Sequence, residues 1–228
     1  MTGIRTGRAT APLARGRRVT PEGVTLVWEI AAPSESAVPP KPQDPAARRH
    51  MSRRLLRAEL DEILPGGHLL VQQCTSCGST EHGLLRVERT ASHAGREAPA
   101  APAPPLVSVS YAGSLAVAGI APPGSRRFGI DVEWDTPERQ RAAREALGAP
   151  AGGADPDHPL HAWTRLEAIA KARGRGLRDG WERPNATGLT CTELTLEFGS
   201  RADGPDPGAE PHANPGPHPS AILSIALG

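Results

Sequence analysis

Alternating apolar and polar positions in "GVTLVWEIA", Gly23 to Ala31, predict a strand that carries Trp28. A Pro-rich connection from Pro33 to Pro45 follows, with no regular period. The pattern then becomes helical. In "DPAARRHMSRRLLRAELDEIL", Met51, Leu55, Leu56, Leu60 and Leu64 form an apolar stripe. Asp44 suits the N-cap of this helix and Pro45 its first position. The other face carries Arg48, Arg49, Arg53, Arg54 and Arg57, which reads as a solvated surface or, more sharply, as an anion site.

Further along, "GLLRVER" predicts a strand, and "LVSVSYAGSLAVAGIA" two strands joined by a turn at Ala112–Gly113. "RRFGIDVEW" predicts another strand and "PERQRAAREAL" a short charged helix. Gly148 to Pro159 breaks the pattern before "LHAWTRLEAIAKARGRGL". There Trp163, Leu166, Ile169 and Ala170 recur at helical spacing, and Gly174 and Gly176 end the run. "CTELTLEF" and "AILSIAL" predict two last strands, separated by a mobile Gly/Pro/His-rich loop over 199–219.

Two of these elements place charge where it raises a question. On a strand, Asp131 and Glu133 point one way while Ile130 and Val132 point the other. Adjacent carboxylates repel and raise each other's pKa unless a cation lies between them. A solvated strand end is the plain alternative. Glu167 and Lys171, four apart on the later helix, read by themselves as an ordinary surface pair.

At 228 residues the chain fits one large domain or two small packed halves. Its 26 basic and 25 acidic residues nearly balance, which argues against nucleic-acid or anionic-membrane partners. Apolar runs such as Leu115 to Pro122 are too short to span a bilayer. The acid-free opening, residues 1–20, reads as a disordered basic tail without a secretory apolar region, so the expected compartment is cytoplasmic. Cys74, Cys77 and Cys191 do not make a disulfide framework. "CTSCGSTEHG" reads as a metal-free reduced turn or, more sharply, as half of a zinc site with His82 as a third ligand, for which only Cys191 or His93 offers a fourth.

Taken together, "FGIDVE" and "WTRLEAIAKARGRGL" resemble the signature pair of the 4'-phosphopantetheinyl transferases, in particular the larger, pseudo-dimeric type that activates carrier proteins of peptide and polyketide synthases. The matching positions are Gly129, Ile130, Asp131, Val132 and Glu133, then Trp163, Thr164, Glu167, Ala168, Lys171, Gly174, Gly176 and Leu177. The resemblance implies an α+β fold of two pseudo-symmetric halves, residues 21–125 and 126–228, each a small antiparallel sheet packed on a long helix. It implies a monomer whose partner is an acyl or peptidyl carrier protein. Asp131, Glu133 and Glu167 would hold Mg2+, a cation that makes adjacent carboxylates favourable. Glu167, Lys171 and Tyr111 would be catalytic, and Arg53, Ser110, Tyr111 and Lys171 would contact coenzyme A. A carrier serine would attack the β-phosphate and 3',5'-ADP would leave. Of the 26 basic residues only Lys41 and Lys171 are lysines, so a lysine at this motif position weighs against chance.

The chain also departs from the family pattern. Where the family has S-H-S this sequence reads Ser110, Tyr111, Ala112, and a phenol brings no positive charge at neutral pH. Leu166 stands where the family has lysine, and "GLLRV", Gly83 to Val87, where it has G-[KR]-P. The segment between the acidic motifs, which helps dock the carrier protein in relatives, is short and Gly/Pro-rich. Each lost charged hydrogen bond contributes on the order of 1.5–3 kcal/mol, and the candidates to replace the charge are Arg53, Arg54, Arg86 and Arg165. Two rival readings follow from these departures. One is the same fold turned to another enzymatic step in natural-product biosynthesis, with Tyr111 and the carboxylates reused. The other is a non-catalytic relative that binds carrier proteins.

Overall fold

Strand β1 (Ala14–Val19) pairs antiparallel with β2 (Thr25–Ile30), Gly16 lying opposite Trp28. The computed structural model describes residues 14–31, 45–64, 67–74, 77–90, 103–148, 158–174, 184–198 and 219–228. β1 corrects the expectation of a disordered tail through residue 20. It is an edge strand whose arginines stay in solvent, so the backbone ladder to β2 holds it rather than burial of its own side chains. The remainder of that tail, 1–13, lies outside the described residues, as does Asp44.

Helix α1 (Pro45–Ile63) buries the predicted stripe of Met51, Leu55, Leu56 and Leu60, with Leu64 just past its end. A two-stranded sheet follows, β3 (His68–Gln73) with β4 (Leu84–Arg89), and then the hairpin β5 (Val107–Ala112) and β6 (Leu115–Ile120). The α1 leucines pack on Val27, Val107, Ala116, Ala118 and Ile120, one face of the sheet ordered β1-β2-β6-β5. After β7 (Phe128–Trp134) come α2 (Pro137–Leu147), α3 (Pro159–Ala172), β8 (Thr190–Glu197) and β9 (Ser220–Leu227). The Thr136 hydroxyl caps α2 by accepting from the Arg139 N–H at 3.3 Å. β7, β9 and β8 form the last sheet in that order.

The described residues thus make a mixed α and β fold with three helices and three small antiparallel sheets. Leu26, Ile30, Leu115 and Val117 meet Ile130, Val132, Leu223 and Ile225 in one core between the larger sheets. Each of these sheets carries a helix on its outer face: α1 on the first, α3 on the second. Among the described residues no helix is long and apolar enough to cross a membrane.

Helix α3 buries Ile169 and Ala170 of its expected stripe, while Trp163 and Leu166 are only half-buried. Leu160, Thr164, Ala168 and Ala172, four apart, are buried beside them. Small residues face the sheet because the helix lies against the backbone of β7. A Cβ on Gly129 would stand 2.3 Å from the Ala168 carbonyl oxygen and 2.5 Å from the Ala172 nitrogen. Neither atom can give way without moving the helix. Gly129→Ala is therefore expected to destabilise the fold by about 1–3 kcal/mol, read as a lower urea midpoint at unchanged slope.

Candidate functional site

The first and last sheets come side by side at β5 and β7, and their contact is made by side chains. Ser108 Oγ accepts from the Ile130 N–H at 3.1 Å, and Ser110 Oγ from the Val132 N–H at 3.2 Å. Further along, Trp134 Nε1 donates to the Ala112 carbonyl at 2.8 Å. Alternation along β5 turns Val107, Val109 and Tyr111 toward α1 and leaves Ser108 and Ser110 for β7.

Beside this seam lies a cleft of about 560 Å³, within the range that accepts a small organic ligand. The seven site residues that the resemblance implies line it: Arg53, Ser110, Tyr111, Asp131, Glu133, Glu167 and Lys171. β7 supplies Asp131 and Glu133, while α3 supplies Glu167 and Lys171 one turn apart. The close approach at Gly129 is what brings the helix within reach of the strand's carboxylates.

Asp131 is not at a solvated strand end; it is 6% exposed. Lys171 Nζ donates to its Oδ1 at 2.7 Å, and the Ser110 hydroxyl donates to the same oxygen at 2.8 Å. Ser110 Oγ in turn accepts from Lys171 Nζ at 3.0 Å. Its one proton and two lone pairs are thereby all used.

The other two carboxylates are less well served. Among the described residues Glu133 Oε2 is buried without a hydrogen-bond partner, although Arg139 Nε stands 3.5 Å away, close enough for charge attraction. Burial pushes the Glu133 carboxyl up; Arg139 opposes this, Asp131 adds to it, and Lys171 opposes it. Glu167 is raised to about 7, first by burial and then by the charge of Asp131, with Lys171 opposing and Glu133 adding. The site thus holds more negative charge than its own cations neutralise comfortably.

Proximity to one cleft is not yet a closed metal cage. Among the described residues, the His, Cys, Asp or Glu trio whose ligand atoms all lie within 4.8 Å of one another is Cys74, Cys77 and His82. The three carboxylates are not gathered that tightly, because Asp131 is drawn to the Lys171 ammonium and Glu133 faces Arg139.

The opposite wall is basic. Arg48, Arg49, Ser52 and Arg53 of α1 line the cleft, joined by Gln72, Glu81 and His82 from the β3–β4 unit. Glu81 pairs with Arg49 at 2.7 Å, and Arg53 donates to Gln72 Oε1 at 3.2 Å. Of the proposed replacement cations only Arg53 lines the cleft. Arg54 turns to Glu29 at 2.5 Å, Arg165 stands 3.6 Å from Glu193, and Arg86 borders a separate hollow of about 330 Å³. Arg48 and Arg49 are the site residues that the motif comparison passed over. The signal was present, since Arg49 and Arg53 are four apart and Arg48 adjoins them on one helix face.

Tyr111 faces this wall, its hydroxyl hydrogen-bonded to that of Ser52. Burial raises its pKa, against the lowering influence of Ser52, Arg53, Arg48 and Arg49. At neutral pH the phenol therefore stays protonated. Leu166 does not line the cleft. Cys191 packs with Ala168, Ala172 and Ala226 and is not part of the cysteine–histidine trio, while His93, Gly176 and Leu177 lie outside the described residues. The chain matches no protein-family model and, at a significant level, no curated protein, so a functional reading rests on the chemistry of the site.

Proposed function

We propose that this protein is a Mg2+-dependent 4'-phosphopantetheinyl transferase that moves the phosphopantetheine arm of coenzyme A onto a carrier-protein serine. The observation that carries this reading is the juxtaposition, across one cleft, of Asp131, Glu133, Glu167 and Lys171 with an arginine wall. A pyrophosphate needs both: hard oxygen ligands for its metal and cationic donors for its remaining charge. The reading of two related halves is supported by strand order. In β2-β6-β5 and in β7-β9-β8 alike, the first strand pairs with the last and the last with the one before it.

The chemistry of the donor set fits Mg2+, although the three carboxylates would have to draw closer to share one ion. The set's members are carboxylates, one with a buried unpartnered oxygen and one raised to about 7, and a cation would relieve both. Asp131, Glu133 and Glu167 would hold the ion, which supplies Lewis-acid neutralisation of pyrophosphate charge when bound. Glu167, at the junction of the carboxylates and Lys171, accepts the proton of the attacking serine. Lys171 spends two of its three N–H donors on Asp131 and Ser110, which orients the third for a phosphate oxygen. Arg48, Arg49 and Arg53 attract the nucleotide phosphates, and Tyr111 offers a neutral hydrogen-bond donor where the family has a histidine.

The test is intact-mass analysis of a panel of apo carrier proteins after incubation with the protein, coenzyme A and Mg2+. A phosphopantetheine mass gain on at least one carrier, lost on chelation, is the expected result. Coenzyme A and Mg2+ binding without a gain on any carrier would favour a relative turned to another step, because fold alone does not assign the reaction.

A further inference from the structure

We infer a second metal site, built from Cys74, Cys77 and His82, that takes Zn2+ and is separate from the carboxylate cluster. The three ligand atoms lie within 4.8 Å of one another, and Cys77 Sγ is 3.3 Å from His82 Nε2. A tetrahedral zinc with ordinary bond lengths sets its sulfur and nitrogen ligands roughly 3.5–3.8 Å apart, so the trio needs only a small adjustment to bind one. Two thiolates and an imidazole select a borderline-soft ion over Mg2+, the reverse of the preference of Asp131, Glu133 and Glu167.

The backbone is arranged to bring these side chains together. Cys74 directly follows β3 and His82 comes just before β4, so the antiparallel pairing of Gln73 with Leu84 draws the two ends of the loop together. The Gly78 N–H donates to the Cys74 carbonyl at 2.8 Å, and the Cys74 N–H to that of Ser79 at 2.8 Å. Gly78 makes the reversal at φ 71°, a conformation that favours glycine. Leu85 and Val87 anchor this two-stranded sheet in the α1 core, but its connecting loop is long and polar; a metal clip across the loop's ends adds a restraint there.

Among the described residues no fourth protein ligand joins the trio. The loop held in this way is a wall of the larger cleft. Glu81, next to His82, pairs with Arg49, and the Gly83 carbonyl accepts from Gln72 Nε2 at 3.1 Å. Zinc would therefore set the position of the basic wall without touching the reacting atoms.

Metal content and cobalt spectroscopy of the full chain, kept reduced with a phosphine, test this independently of any transferase activity. About one zinc per chain is expected after purification or after supply of Zn2+ and desalting, and Co2+ substitution should give a thiolate-to-cobalt charge-transfer band. Cys77 and His82 are exposed, so Cys77→Ser and His82→Gln can be made without opening the core. The cobalt band should weaken in Cys77→Ser, and zinc affinity should fall at least about tenfold in both variants. Asp131→Asn should keep full zinc content. Failure of the wild-type chain to retain zinc, or equal retention by Cys77→Ser and His82→Gln, would overturn the assignment.

Discussion

In Lys171→Ala, carrier-protein modification is expected to fall by about 10²–10³-fold, whereas Tyr111→Phe should lose no more than about fivefold. The difference comes from charge. Lys171 is the cation seated among the carboxylates, 2.7 Å from Asp131, and it is the group placed to meet negative charge that develops on a transferred phosphate. The Tyr111 phenol, kept neutral by burial, offers one hydrogen bond of about 1 kcal/mol. Removing Lys171 also leaves buried Asp131 with Ser110 as its remaining hydrogen-bond donor, so thermal midpoints must accompany the rates. Robust modification by Lys171→Ala beside an inactive Tyr111→Phe would overturn the transferase reading. It would point instead to a fold repurposed around the tyrosine.

Glu167→Gln should make the protein more stable at pH 8 while abolishing its response to Mg2+. With the Glu167 carboxyl at about 7 against an ordinary 4.5, the folded chain holds a proton that the unfolded chain has already released between those values. The stability contributed by this group is complete below about 4.5 and is lost as pH rises through about 7. A neutral amide never acquires the offending charge. The variant should therefore melt at least about 2 °C above wild type at pH 8, and the gap should close near pH 5. Adding Mg2+ at pH 8 should raise the wild-type midpoint and leave the variant's unchanged. A variant that melts at or below the wild type at pH 8 would show that the carboxylate cluster is not strained in the way its burial implies.

Elements with a strong period were legible from the sequence. The leucine stripe of α1 is set by burial of one face, β2, β7 and β9 by apolar residues buried along most of their length, and each appears within a few residues of its expected bounds. β1 and β3 escaped because partners rather than patterns hold them. "ARGRRV" has only a terminal valine to mark it as a strand, and "HLLVQQ" places three apolar residues in succession with Leu69 left exposed. Half of the α3 stripe, Ile169 and Ala170, is buried as expected; Trp163 and Leu166 are only half-buried because the missing side chain of Gly129 favours small neighbours over bulky ones. The acidic half of the site was readable because a strand and a helix each put two functional groups on one face. Arg48 and Arg49 were readable only as part of a basic helix face, since a run of arginines looks the same whether it borders a cleft or open water. The cysteine and histidine spacing left zinc and a plain turn both open; the chain reversal at Gly78 is what brings the ligands together.

The seam between β5 and β7 makes the separation of the two walls an inherited setting that single codons can change. A backbone ladder has a fixed pitch that no substitution alters, but here the gauge is the length of a serine side chain at positions 108 and 110. A longer hydroxyl bearer would push the arginine wall and the carboxylates apart, and a shorter side chain would let them drift, with each sheet internally untouched. Descendants of such a protein could adapt to larger or smaller ligands by editing two hinge pins, leaving the machinery on either side as it was.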